Sequence, residues 1–221
     1  PVLTSELSLG DKVNAAKTVL AAMSLRAPFG RVVMIAGHGA EVVNTPFESA
    51  MHCGACGGNT GEVNVRILAQ LLNDPEVRAQ IDVPADTLFV GALHHTTSDR
   101  VDMFDADVDT SAHANDIARL KQWLKAAGIE ARAERAGSLP GAKTQADLVA
   151  RGLDWAQVRP EWGLAGCAKF IAAPREMTRG LDLGGRAFLH TYNHHADTEK
   201  GVLELILTAP VVVASWISLQ Y

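Results

Sequence analysis

The sequence predicts an α/β fold in which a mostly parallel sheet is flanked by helices. Two observations carry that prediction. Apolar stretches at Arg31–Ala36, Thr87–Leu93, Ala168–Ala172 and Ala187–His190 have the length and β-branched content of buried strands. Segments with helical apolar spacing alternate with them, as expected where crossover helices join parallel strands.

In order, Gly10–Ser24 places Val13, Ala16, Val19, Leu20 and Met23 on one helical face, and Ala27–Gly30 breaks it before the first strand. Glu62–Leu72 is helical by Val63, Ile67, Leu68, Leu71 and Leu72. Asn73-Asp74-Pro75 ends it, and Pro75 starts a further short helix through Ile81. Thr87–Leu93 runs into the polar cluster His94-His95-Thr96-Thr97-Ser98-Asp99. Ser111–Ala127 forms a third long helix with Gly128 as its stop. Residues 131–151 hold a Gly-Ser-Leu-Pro-Gly loop and a short helix. A Trp- and Pro-containing connection from Asp154 then leads to the last two strands. Residues 202–221 are dense in Val, Leu, Ile and Trp but contain Glu204, Thr208 and Pro210, so a buried helix or helix pair is expected rather than a membrane span. With no repeat or low-complexity linker, residues 1–221 read as a single domain, an internal fragment of a larger protein whose packing partners lie beyond residue 221.

Composition narrows the function. A formal charge of −5 without a basic stripe argues against nucleic acid as a partner. Three cysteines do not make a disulfide framework for this length, which points to a reducing compartment and to thiols or metal ligands.

The most informative stretch is GHGAEVVNTPFESAMHCGACGGNTGEVNVR, residues 37–66. His38 falls at the carboxyl end of the first strand, where α/β sheets place ligand chemistry. Gly37 and Gly39 are expected to allow a sharp turn that exposes its ring. Cys53 and Cys56 follow in a glycine-rich loop ahead of a helix starting near Gly61–Glu62, and a helix N-terminus stabilises thiolates. An imidazole and one or two thiolates suit zinc. Cys53-x-x-Cys56 also has the spacing of a redox dithiol, and the residues alone support metal and redox readings equally. Gly57-Gly58-Asn59-Thr60-Gly61 is followed by Glu62-Val63 and not by Lys-Ser/Thr, so it is no P-loop. His94 and His95 could support a metal site or close a turn. His190, His194 and His195 read equally well as a solvated loop, Trp155, Trp162 and Trp216 as packing residues, and Cys167 as a small core residue.

The ordered motifs GHG, NTPFESAMHCGACGG, TGEVNVRILAQLLNDPEVR, VPADTLFVGALHHTTSD, DWAQVRPEWGLAGCAKFIAAPR, GRAFLHTYNH and LELILTAPVVVASWISLQY resemble the DabA family of inorganic carbon transporter subunits across essentially the whole chain. The resemblance implies a β-carbonic-anhydrase-like fold and zinc site, with His38 matching the histidine of the GHG motif and Cys53 the first cysteine of CGACGG. The family's remaining cysteine and aspartate come from an upstream Cys-x-Asp-x-Arg strand, and no cysteine precedes Cys53 here. Asn44-Thr45-Pro46 stands where the family often has Asn-Asn-Pro.

The resemblance further implies CO2 and bicarbonate as substrates and a DabB-like proton-conducting membrane subunit as partner. It places the protein on the cytoplasmic face of the inner membrane, peripherally bound. Zinc in such a site lowers the pKa of water from about 15.7 to about 7, so that it can attack CO2. The expected function is a zinc-binding half-site of an energy-coupled carbon pump, with the isolated chain inactive. Two alternatives are a C-x-x-C dithiol oxidoreductase and a non-catalytic scaffold docking a membrane subunit through 202–221.

Overall fold

The computed structural model describes residues 7–23, 25–41, 43, 51–53, 56–157 and 167–220. Asn44-Thr45-Pro46, Trp162 and the 158–166 part of the connection lie outside the described residues. The fold is mixed α/β. The chain divides into two compact units that interleave in sequence: Pro1–Glu41 with Thr60–Ala131, and Val42–Asn59 with Arg132–Tyr221.

The first unit is built on strands β1 (Val32–Gly39), β2 (Leu88–His95) and β3 (Arg100–Met103). β1 and β2 run parallel in register from Val32↔Leu88 to Gly39↔His95. β3 returns antiparallel along the end of β2, with Ala92 opposite Met103 and His95 opposite Arg100. β3 is not predicted from sequence: Arg-Val-Asp-Met is short and half charged, and it becomes a strand because a turn lays it against β2.

Period-2 alternation sorts the two faces of the sheet. Val33, Ile35 and Phe89 pack with α1 (Leu9–Ala22), α2 (Glu62–Asn73) and α3 (Pro75–Arg78), around Ala16, Leu72 and Val77. Val32, Leu88 and Val90 face Ile117 of α4 (Ala114–Ala136). The helix ends follow local chemistry. Ser8 Oγ accepts the Asp11 N–H to start α1, and the Asp74 carboxylate accepts the Glu76 N–H at 2.9 Å to start α3 at Pro75. At the end of α2, Asn73 replaces a missing strand neighbour: its Nδ2 donates to Phe89 O at 2.7 Å and its Oδ1 accepts the Phe89 N–H at 3.1 Å.

α4 does not stop at Gly128. A glycine in a helix costs only about 1 kcal/mol relative to alanine, and the strong helix formers of EARAERA carry α4 to Ala136.

The second unit contains α5 (Gln145–Gly152), strands β4 (Lys169–Ala173) and β5 (Ala187–Thr191), and helices α6 (Gly201–Thr208) and α7 (Pro210–Gln220). β4 and β5 pair in parallel as a separate two-stranded sheet. Two of the three pairings between these strands are therefore parallel, divided between two small sheets. α5 begins with a capping box in which the Asp147 carboxylate accepts the Lys143 and Thr144 N–H groups. Those bonds hold its carboxyl below the usual range. Leu148 of α5 is buried against Ala136 and Leu139.

Residues 202–220 form the expected helix pair, but not a buried one: Val202, Leu205, Leu207, Val212 and Trp216 are exposed, and among the side chains described there only Ile206 and Ala214 are buried. Trp155 is exposed as well, so neither it nor Trp216 serves the packing role expected of them. No helix among the described residues is long and apolar enough to cross a membrane.

Candidate functional site

His38 is the penultimate residue of β1, and the parallel register sets it opposite His94 of β2. Residues paired across a parallel ladder project from the same face, so two imidazoles sit side by side at the carboxyl edge of the sheet. The expected sharp turn around His38 is absent. Gly37 and Gly39 are both part of β1, and Gly37 serves a close approach, since Gly61 of the α2 N-terminus lies against it. His38 O accepts the Gly61 N–H at 2.8 Å, which ties the strand end to the helix start.

Around this edge the last residues of β2 and the segment that follows form a hydrogen-bonded network. His94 Nε2 lies 3.3 Å from Asp99 Oδ1, and Asp99 takes a left-handed backbone with φ 52° in the turn between β2 and β3. On the other face, His95 Nε2 lies 3.0 Å from Asp102 Oδ2. Arg100 grips the same carboxylate with both prongs, at 3.0 and 2.9 Å, and also pairs with Glu41. Burial pushes the Asp102 carboxyl up, but the hydrogen bonds and charges of Arg100 and His95 outweigh it and hold the group below its usual range. His95 is buried, and its Nδ1 has no hydrogen-bond partner among the described residues. Thr96 and Thr97 finish the edge: the Thr96 N–H donates to Gly39 O at 3.0 Å, and Thr97 Oγ1 accepts the Glu41 N–H at 2.8 Å.

Sequence reasoning singled out His94, His95 and Asp99 but missed Glu41, Arg100 and Asp102. The available signal was the alternation of charge in Asp99-Arg100-Val101-Asp102, which puts Arg100 and Asp102 on one side of a strand.

Cys53 and Cys56 belong to the second unit. The Cys53 N–H donates to Asn59 O at 3.1 Å, and Cys53 O accepts the Cys56 and Gly58 N–H groups, each at 3.0 Å. Gly57 at φ 65° and Gly58 at φ 83° make that closure possible, because side-chain-bearing residues rarely adopt these angles. Asn59 Nδ2 locks the loop by donating to Cys56 O at 2.9 Å. The cysteines therefore sit in a loop closed on itself, and not in the first turn of α2, which begins after Gly61. Both thiols are half-buried and free of disulfides.

Cys167 is the small core residue the sequence suggested: it is buried, its thiol donates to Gly185 O at 3.2 Å, and burial pushes its pKa up. His190, His194 and His195 occupy the exposed end of β5 and the loop beyond, the rings of His194 and His195 lying 3.8 Å apart.

The structure thus joins His38 with His94 in one sheet edge, and Cys53 with Cys56 in one loop. Among the described residues no group of three or more His, Cys, Asp or Glu side chains is arranged to hold a metal ion. An imidazole at a strand end and a half-buried thiol are each, taken singly, donors of the kind zinc accepts.

The family model for the probable inorganic carbon transporter subunit DabA matches residues 2–221. The chain belongs to the DabA family. Relatives carrying that description are 59% identical in Rhodopseudomonas palustris (strain TIE-1) and in Azorhizobium caulinodans. Another, in Xanthomonas axonopodis pv. citri, is 59% identical over 97% of this chain. The alignment to the Rhodopseudomonas DabA protein covers all of this chain and 28% of the relative. No solved structure matches the chain.

Proposed function

We propose that this chain carries the His38 and Cys53 half of a zinc site in a subunit of an energy-coupled inorganic carbon pump. Membership of the DabA family carries this reading, together with the position of His38 at the carboxyl edge of a parallel strand pair. Zinc would supply a Lewis acid that makes water nucleophilic toward CO2 near neutral pH. The chain's own residues do the holding. The Gly61 bond to His38 O and the register with β2 fix the His38 backbone at the carboxyl edge of the sheet, which sets where its side chain starts. The loop bonds around Cys53 fix its backbone in the same way. The Glu41–Arg100–Asp102–His95 network stiffens the strand edge that carries His38.

In this reading the fold around the site is β-carbonic-anhydrase-like, and the remaining cysteine and aspartate ligands come from elsewhere in the complete protein. The partner is a DabB-like proton-conducting membrane subunit, with the DabA-family protein peripheral on the cytoplasmic face. Hydration of CO2 would be vectorial because the partner couples it to proton flow. The isolated chain would hold zinc weakly and hydrate no CO2. The test is zinc content and carbon uptake of the complete protein carrying His38→Ala or Cys53→Ala. Each should lose the metal and the uptake together; full zinc occupancy in either variant overturns the assignment.

A further inference from the structure

Cys56 carries a thiol for which the zinc reading has no task, and the loop sets it close to Cys53. The Cys56 N–H donates to Cys53 O at 3.0 Å. A carbonyl bonded to the N–H three residues on closes a turn whose end Cα atoms lie within about 7 Å. A disulfide requires Cα atoms about 4.4–6.8 Å apart, so the backbone brings the two residues into the range where their sulfurs can be joined. Three more bonds hold the turn: Gly58 N–H to Cys53 O at 3.0 Å, Cys53 N–H to Asn59 O at 3.1 Å, and Asn59 Nδ2 to Cys56 O at 2.9 Å. Much of the chain entropy that ring closure costs is therefore already spent in the reduced protein.

Access points the same way. Both thiols are half-buried, and neither is in a disulfide. A Cβ built on Gly57, next to Cys56, would meet nothing within 4 Å among the described residues, so a small reagent can approach the turn from that side. Cys167 differs on each count: it is buried, its thiol donates to Gly185 O, and burial pushes its pKa up, all of which suppress reaction.

We propose that Cys53 and Cys56 are a reversible oxidation site, closed by a low-molecular-weight disulfide of the glutathione type. One of the two thiols gives its proton to solvent and attacks a glutathione sulfur. The glutathione S–S bond breaks, and one glutathione leaves and is protonated. The other protein thiol, deprotonated in turn, attacks the mixed disulfide at the protein sulfur, and the second glutathione leaves and is protonated. The Cys53–Cys56 bond forms, two protein thiols are oxidised, and one glutathione disulfide is reduced to two thiols. The site itself stands without the zinc reading. Its effect on the metal rests on that reading: the thiolate is the metal ligand, so a sulfur held in a disulfide takes Cys53 out of the zinc site. Oxidation and metal binding then exclude each other.

The experiment exposes the complete polypeptide, stripped of metal by chelation, to oxidised glutathione. Peptide mapping by mass spectrometry without reduction should find the fragment holding Cys53 and Cys56 lighter by two hydrogens and restored by dithiothreitol, with Cys167 still a thiol. The oxidised sample should take up less zinc than the re-reduced one, and a sample loaded with zinc beforehand should close more slowly. The inference is overturned if the fragment keeps both thiols, if it stops at a glutathione mixed disulfide, or if Cys53 pairs with a cysteine elsewhere in the polypeptide. Closure at one rate with and without zinc upholds the oxidation site and overturns the zinc reading instead. Asn59→Ala removes the side-chain bond to Cys56 O, so it should raise the share of mixed disulfide at the expense of the closed form. An unchanged share would show that the folded loop does not assist closure, which also overturns the inference.

Discussion

Gly37 and Gly61 meet backbone to backbone: a Cβ on Gly37 would lie 2.8 Å from Gly61 O, and one on Gly61 would lie 3.0 Å from Gly37 Cα. Only a residue without a side chain lets the start of α2 approach β1 this closely. Gly37→Ala would force the helix or the strand to move, at a cost of about 1–3 kcal/mol for overpacking. The complete protein carrying this variant should melt at a lower temperature and, on the zinc reading, purify with less metal. An unchanged melting temperature would mean the two segments are not in contact.

Asn73 completes the backbone bonding of Phe89, which is fully buried in the core of the first unit. Asn73→Ala removes both partners at once, and each unmet backbone group costs about 1–3 kcal/mol. The variant should be destabilised, with the Phe89 amide losing protection in hydrogen exchange while amides along α1 keep theirs. Uniform loss across the unit, or none, would contradict a local bridging role.

Asp197 sets a pH dependence in the second unit. Burial pushes its carboxyl up, but the Leu203 and Val202 N–H groups at the start of α6, with Tyr192 Oη, outweigh this and hold it below the usual range. A depressed carboxyl contributes stability that is complete above its unfolded value, about 3.9. That contribution is lost as pH falls through the folded value. Wild type should therefore exceed Asp197→Asn in stability at neutral pH, and the gap should close on acidification below about pH 4. Denaturation curves of both proteins across this range measure it; a gap that persists at low pH would refute the assignment.

What could be read from the sequence differs by element for physical reasons. β1, β2, β4 and β5 are continuous apolar runs, so composition alone marks them. β3 owes its existence to pairing with β2 after a turn that uses a left-handed Asp99, a long-range effect that local pattern does not carry. Gly128 was misleading because a local penalty is outvoted by the helix formers after it. At the site, the strand-end position of His38 and the glycine-rich setting of Cys53 were visible. The closure of the loop through Asn59 O was not, since backbone hydrogen bonds leave no mark on residue identity. The exposure of α6 and α7 was hidden for a related reason: hydrophobicity signals burial by something, without naming what does the burying.

Cys56 separates the two chemistries that the Cys53-Gly54-Ala55-Cys56 run allows. The Cys56 N–H donates to Cys53 O, and Cys56 O receives the Asn59 amide, so its backbone supports the loop whatever its sulfur does. In the zinc assignment carried by His38 and Cys53, Cys56→Ser keeps that backbone intact and should leave zinc content and carbon uptake close to wild type. A dithiol mechanism needs both sulfurs, because the second thiol resolves the mixed disulfide formed on the first. There Cys56→Ser would abolish activity as completely as Cys53→Ala. Measuring zinc stoichiometry and uptake in the two variants side by side decides between them: equal loss of function with zinc retained favours the dithiol, and loss confined to Cys53→Ala favours the metal.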